Sequence, residues 1–171
     1  EVSLFLQDGV KEVVNRVIQT NPTDLAKFTA STEDTSDSGI TVIGKILSVV
    51  REHDSTSILR RCTLIDPGFR YEATDTTSLK YKSKYNPGYF LLDGKIHTVP
   101  AAAGSDNSSY VTQIAYDTGL LYSDTYNSGA IDNFPIEYEY LVALYAACKS
   151  ILNTMASKSD SLPSDIVIEV L

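Results

Sequence analysis

The sequence predicts an α+β fold, in which an N-terminal helix and a long C-terminal helix flank a β-rich antiparallel insertion. Three observations predict it. Apolar residues recur at helical spacing over 3–19 and again over 135–157. Between them, over 40–117, the period shortens to that of strands, and an Asp-Gly pair marks a hairpin. At 171 residues with 43% apolar side chains, the chain is long enough to bury about two thirds of its unfolded surface.

Helix 3–19 carries Leu6, Val10, Val13 and Val17 at spacings of four and three, with Val14 and Ile18 beside them. Asp8, Lys11, Glu12, Asn15 and Arg16 fill the opposite side. Asn21-Pro22 stops it, because proline cannot continue the ladder and restricts its predecessor. The acidic stretch 31–39 (STEDTSDSG) then reads as a solvated loop. Its Glu33, Asp34 and Asp37 lack the spaced ligands and closing Glu of a calcium loop.

Runs 40–51 and 58–65 read as two strands of a hairpin, with the polar residues 52–57 between them. Arg60 and Arg61 adjoin in the second strand and so point to opposite faces, which argues against a paired phosphate clamp. Pro67-Gly68 ends the hairpin. In 69–87, Lys80, Lys82 and Lys84 alternate with Ser and Tyr, the pattern of an edge strand protected by lysines, with nucleic-acid contact as the competing reading. Over 88–99, Asp93-Gly94 supplies the positive φ angles of a type I′ turn. A loop follows over 101–109, a fifth strand over 110–117, and a polar connection over 122–133.

Helix 135–157 is the organising element. Pro135 suits a first helical position, Glu137 and Glu139 fall at its positive end, and Lys149 and Lys158 fall toward its negative end. Phe134, Tyr138, Leu141, Tyr145, Cys148, Leu152 and Met155 form one seam of three heptads. Ile136, Tyr140, Leu144, Ala147 and Ile151 form a second apolar stripe beside it. No polar residue interrupts 140–148, so the middle of the helix reads as covered all round. The candidate core is thus Leu6, Val10, Val13 and Val17 with Leu141, Tyr145, Cys148 and Leu152. The second stripe is either more core or a seam between subunits, and periodicity permits both. Residues 1–158 read as one domain; 159–171 read as a linker and extended exit strand that continues into a further segment.

Eleven Tyr and no Trp lean toward interaction surface, since Tyr pairs an apolar ring with a polar tip. The net charge of −8 disfavours sequence-reading nucleic-acid binding but suits a protein that lies beside DNA without adhering. Cys62 and Cys148, 86 positions apart, fit small core residues better than a disulfide or metal site. His53 and His97 have no sequence partners for a metal pair or triad, and phosphate-binding and hydrolase motifs are missing. No catalytic residue, metal or cofactor is expected, and no stretch reaches the length of a membrane span.

DGVKEVVNRV, GKILSVVRE, RRCTLIDP, YEATDTTSLKY, YNPGYFLLDGKIHTVPAAA and NFPIEYEYLVALYAACKSI, in that order along the chain, resemble virion structural proteins of tailed bacteriophages, especially marine and cyanobacterial ones. An opening helix, a β-rich insertion and a Pro-initiated closing helix rich in Tyr and Ala resemble a head–tail adaptor (connector or neck) subunit. The resemblance implies a non-enzymatic homo-oligomer, a ring commonly of twelve, bound to portal and tail proteins in a virion assembled in the host cytoplasm. DNA would pass without sequence-specific binding, and the subunit seam would fall on Ile136, Tyr140, Leu144, Ala147 and Ile151. The larger β region departs from compact adaptors and leaves open a collar or fibre- or tail-anchoring module. A virion-associated hydrolase would need an acidic pair or metal cluster that the sequence does not display.

Overall fold

A computed structural model describes residues 1–54, 58–116 and 131–159. Residues 122–130 of the expected connection over 122–133, the tip of the loop at 55–57, and residues 160–171 of the expected linker and exit strand over 159–171 lie outside the described residues. The fold is α+β, with helices at both ends and antiparallel sheets between them. The chain divides into two compact units where one domain was expected: Glu1–Phe28 with Tyr116–Leu171, and Thr29–Ala115.

The helical unit is built from α1 (Val2–Thr20) and the closing helix α3 (Ile136–Ser159), with a 3₁₀ turn at Pro22–Phe28. Val10, Val13, Val14 and Val17 bury one face of α1, as their spacing requires, while Leu6 is half-buried. The two helices run antiparallel. Asn153 donates to Glu1 at one end (2.9 Å), and the Tyr138 hydroxyl donates to Asp24 at the other (2.8 Å). Gly9 sets their closeness: a Cβ there would lie 3.2 Å from both the Val142 Cγ1 and its carbonyl oxygen. Phe28, fully buried, meets Phe134 edge-on at 5.1 Å and Tyr138 at 5.5 Å between ring centroids, which fixes the 3₁₀ turn against the start of α3.

Two core assignments on α3 need correction. Val142 and Ala146 are its buried residues; Tyr138, Leu141 and Tyr145 are half-buried beside them. Cys148 and Leu152, expected in the core, are exposed, and so is Met155. The geometry gives the reason. Val142 and Ala146 centre the face packed on α1, and at 3.6 residues per turn Cys148 lies about 120° and Leu152 about 80° round the helix from Val142, off that face, although α1 runs alongside as far as Asn153. Nor is the middle of α3 covered all round: Tyr140, Ala143, Leu144, Ala147 and Cys148 are exposed, because one packed helix shields one side.

The β unit holds two four-stranded sheets. In the first, β1 (Thr29–Asp34), β8 (Ser109–Ile114), β3 (Ile46–His53) and β4 (Ile58–Arg61) lie side by side in that order, all antiparallel. The second runs β2 (Ile40–Thr41), β7 (Lys95–Val99), β6 (Gly88–Leu92) and β5 (Thr63–Leu64), with β5 parallel to β6. Ile40, Val49, Cys62, Ile96 and Val111, drawn from both sheets, make the buried cluster, and Ile46 and Tyr89 pack against it.

The Asp93-Gly94 hairpin forms as expected, with φ of 52° and 72° at the two turn residues. Residues 31–34, expected in a loop, are strand: β1 pairs with β8 from Thr29↔Ile114 to Asp34↔Ser109. Its position at a sheet edge lets Ser31, Thr32 and Glu33 stay exposed, which hides the strand from a hydrophobic pattern. The run over 58–65 is not one strand but two, changing sheets at Cys62. Residues 80–84 are not an edge strand either. They follow the short α2 (Arg70–Thr74) as turns, and each lysine takes its own partner: Lys80 with Glu72 (3.1 Å), Lys82 with the Thr63 hydroxyl (2.9 Å), and Lys84 with Asp54 (2.6 Å).

Candidate assembly surface

The second stripe of α3 faces outward along its whole length. Ile136 is 79% exposed, Tyr140 65%, Leu144 57% and Ile151 59%, with Ala147 exposed between them. Spacings of four, four, three and four keep these five side chains on one line over more than four helical turns. The seam face joins it in the second half of the helix. There Leu152 and Met155 are exposed too, and every described side chain from 151 to 158 is open.

Single exposed apolar residues are ordinary, but a continuous row of large ones is not. Here four large apolar side chains, each more than half exposed, follow one another along one helix face, the kind of contiguous surface that marks an interaction site.

A groove of about 460 Å³ runs beside this stripe between α1 and α3. Val13, Val17 and Thr20 form one wall; Leu141, Leu144 and Cys148 form the other. Glu12 and Arg16, paired at 2.8 Å, stand on its rim. Leu144 belongs to both stripe and groove, so the two surfaces are continuous. Its α3 wall includes Tyr138, Leu141, Tyr145 and Cys148 of the heptad seam, so the residues were legible in the sequence and the open space beside them was not.

Ionic contacts brace the start of α3. Lys27 bridges Glu137 (2.8 Å) and Asp24 (3.4 Å). The Tyr138 hydroxyl and then Lys27 hold the Asp24 carboxyl below the usual range, despite opposing desolvation. Lys27 does the same for Glu137. Charge is divided unevenly along the chain. The helical unit has twelve Asp and Glu against five Lys and Arg, whereas the β unit has ten against nine.

In the β unit, a smaller cavity of about 280 Å³ is lined by Asp37, Arg70, Tyr71, Phe90 and His97, among others. His97 stacks on Phe90 with 5.4 Å between centroids, and it also lies close to Gly39, where a Cβ would come within 2.6 Å of the ring. Burial pushes the Asp37 carboxyl up, and the nearby His97 partly offsets it. His53, at the end of β3, packs on Tyr85 at 4.7 Å. The two histidines thus lie in separate packing environments. Among the described residues no group of three His, Cys, Asp or Glu is placed to hold a metal ion, and no helix is long and apolar enough to cross a membrane.

Two buried polar groups shape the β unit. Arg51, 4% exposed, donates from Nε to the Pro100 carbonyl (2.8 Å), from Nη1 to that of Glu52 (2.9 Å), and from Nη2 to that of Ala101 (3.1 Å). It ties the loop after β7 to β3. Asp34, 7% exposed, accepts the N–H groups of Ser36 and Gly39, each at 2.9 Å, and so organises the acidic loop. Comparison with protein-family models gives no match, and comparison with curated proteins gives none either.

Proposed function

We propose that this chain is a structural subunit of a tailed-phage virion, placed at the head–tail junction, that acts by assembling with copies of itself into a ring bridging portal and tail. The observation that carries this reading is the exposed five-residue stripe of α3, the surface on which the resemblance to adaptor subunits would put the seam. A helix face of this size costs free energy in water until a partner covers it. The excess acid of the helical unit suits a wall past which DNA slides without adhering. The role needs no reaction and no cofactor.

A second reading, a module anchoring a fibre or tail protein, draws on the β unit. Lys80 lies 3.1 Å from the Phe69 ring centroid and Arg70 4.6 Å from that of Tyr71, and Leu79, Leu64 and Tyr71 are exposed nearby in the chain. Such cation–aromatic surfaces are common in protein interfaces.

Mass determination of the purified chain, alone and mixed with a portal protein, separates the readings. An adaptor assembles and binds the portal. A stable single chain that ignores the portal but captures a fibre or tail protein is the anchoring module.

A further inference from the structure

We infer that the cleft of the β unit between the acidic loop, α2 and one face of β6 and β7 binds a small zwitterion, a free α-amino acid with an aromatic or branched side chain. The site is separate from the assembly surface and stands or falls independently of the virion reading. Its cavity of about 280 Å³ lies just below the range that holds drug-sized ligands, which suits a smaller molecule.

The floor is apolar. His97 and Phe90 sit opposite each other on β7 and β6, their rings stacked with 19° between planes, and Val99 follows His97 on the same face of its strand. That face is turned away from the core cluster, to which β7 contributes Ile96. Tyr71, 72% exposed, forms part of the rim.

Two groups of opposite charge line this cavity, and the chain neutralises neither. Arg70 donates to the Tyr71 hydroxyl (3.0 Å) and lies over the Tyr71 ring, so that partner is uncharged. Among the described residues Arg70 has no carboxylate partner, the Asp37 carboxyl has no hydrogen bond or ion pair, and the two do not pair with each other. Burial pushes the Asp37 carboxyl up and the nearby His97 offsets part of the rise, so an incoming cation would favour its charged form.

Both groups are held in place before any ligand arrives. The Asp34 carboxylate accepts the N–H groups of Ser36 and Gly39, each at 2.9 Å, and so closes the loop around Asp37. Lys95 of β7 donates to the Ser38 carbonyl (3.0 Å), which ties that loop to the floor. On the other wall, Ala73 is 1% exposed and its carbonyl accepts the Lys82 N–H at 2.9 Å, which fixes α2 and with it Arg70. Preorganised walls lower the ordering cost of binding.

These charges select the ligand. A molecule of one charge would satisfy one group and leave the other unpaired. An α-amino acid carries both: its carboxylate suits the planar fork of Arg70, its ammonium suits Asp37, and its side chain covers Phe90, His97 and Val99.

Nuclear magnetic resonance of the histidine rings in the full chain tests this, with L-phenylalanine as the probe. His97 lines the cleft and should report binding; His53, packed on Tyr85 elsewhere, is the internal control. L-phenylalanine should shift the His97 signals saturably with a Kd on the order of 1 mM and leave those of His53 still. Hydrocinnamate, which lacks the ammonium, and phenethylamine, which lacks the carboxylate, should each bind about tenfold more weakly, the loss of one charge-assisted hydrogen bond. Arg70→Gln should weaken phenylalanine and hydrocinnamate but not phenethylamine, and Asp37→Asn should do the reverse. The analogue series is read on the unaltered chain, so it decides the matter even where a variant loses its fold. No saturable His97 shift up to about 20 mM, some twenty times the expected Kd, overturns the inference. So does equal binding of phenylalanine and either analogue, which would mean a site for one charge only, or an equal shift at His53, which would mean non-specific association.

Discussion

Arg51 offers the sharpest test of what holds the β unit together. The residue is 4% exposed, and the acceptors of its guanidinium are uncharged: the carbonyls of Pro100, Glu52 and Ala101, with the Asn107 side chain at 3.4 Å. Burial pulls the guanidinium below its usual range, with Cys62 and Asp54 acting the other way. Arg51→Met keeps the stem and removes five donors. Three backbone oxygens then lose a charged partner, at a net cost of about 1 kcal/mol each after the guanidinium's own desolvation is relieved. The expected loss is about 3 kcal/mol, a fall in urea midpoint of about 1.5 M at an m-value near 2 kcal/mol/M. Hydrogen exchange of peptides covering β3 and β8, followed through urea, reads this unit by itself. Arg51→Lys should recover less than half, because a point charge cannot span three acceptors. A midpoint for Arg51→Met within about 0.3 M of wild type would refute the claim that this fork fastens the loop.

Three further outcomes follow from the geometry. The Asp34 carboxyl is pushed up by burial but held below its ordinary value by the N–H groups of Ser36 and Gly39 and by Ser38. A depressed folded value means its stabilisation is present above the unfolded value of 3.8 and fades as pH falls through the folded one. Asp34→Asn should therefore flatten melting temperature against pH below about 4, and an unchanged slope would contradict it. Ellman's reagent at pH 8 should titrate Cys148 quickly and Cys62 only on unfolding, since burial pushes the Cys62 thiol to about 12. Two equally fast thiols would place Cys62 at the surface. Gly9→Leu should destabilise the helical unit by about 2 kcal/mol in urea unfolding, overpacking outweighing a helix-propensity gain of about 1 kcal/mol; the Cβ alone meets the Val142 carbonyl at 3.2 Å. A stabilised variant would show that the helices are not in close contact.

Long periodic elements were legible in the sequence, and polar or partner-dependent ones were not. The valine spacing of α1 and the Asp93-Gly94 turn depend on local rules, so both helices and the hairpin follow from the residues. Strand β1 escaped because Ser31, Thr32 and Glu33 sit on a sheet edge, where pairing with β8 supplies order that no hydrophobic alternation announces. The run over 58–65 looked continuous because a change of sheet at Cys62 leaves the β-propensity of its neighbours intact. On α3 the heptad seam identified apolar residues but not which of them have a partner. Burial centres on Val142 and Ala146 and not on the seam, and which face a partner helix takes is a property of the pair, invisible in either alone. The stripe from Ile136 to Ile151 was legible as apolar; its exposure became visible only with the packed helix pair.

Sedimentation velocity of wild type beside Tyr140→Asp tests the central claim most directly. Tyr140 is 65% exposed, so the substitution should change the stability of the single chain by no more than about 0.5 kcal/mol and leave its circular dichroism intact. The account predicts that wild type sediments as a multi-subunit species and Tyr140→Asp as a folded single chain of 18.7 kDa. A wild type that remains a single chain at tens of micromolar, or a Tyr140→Asp chain that loses its helical signal, would contradict it.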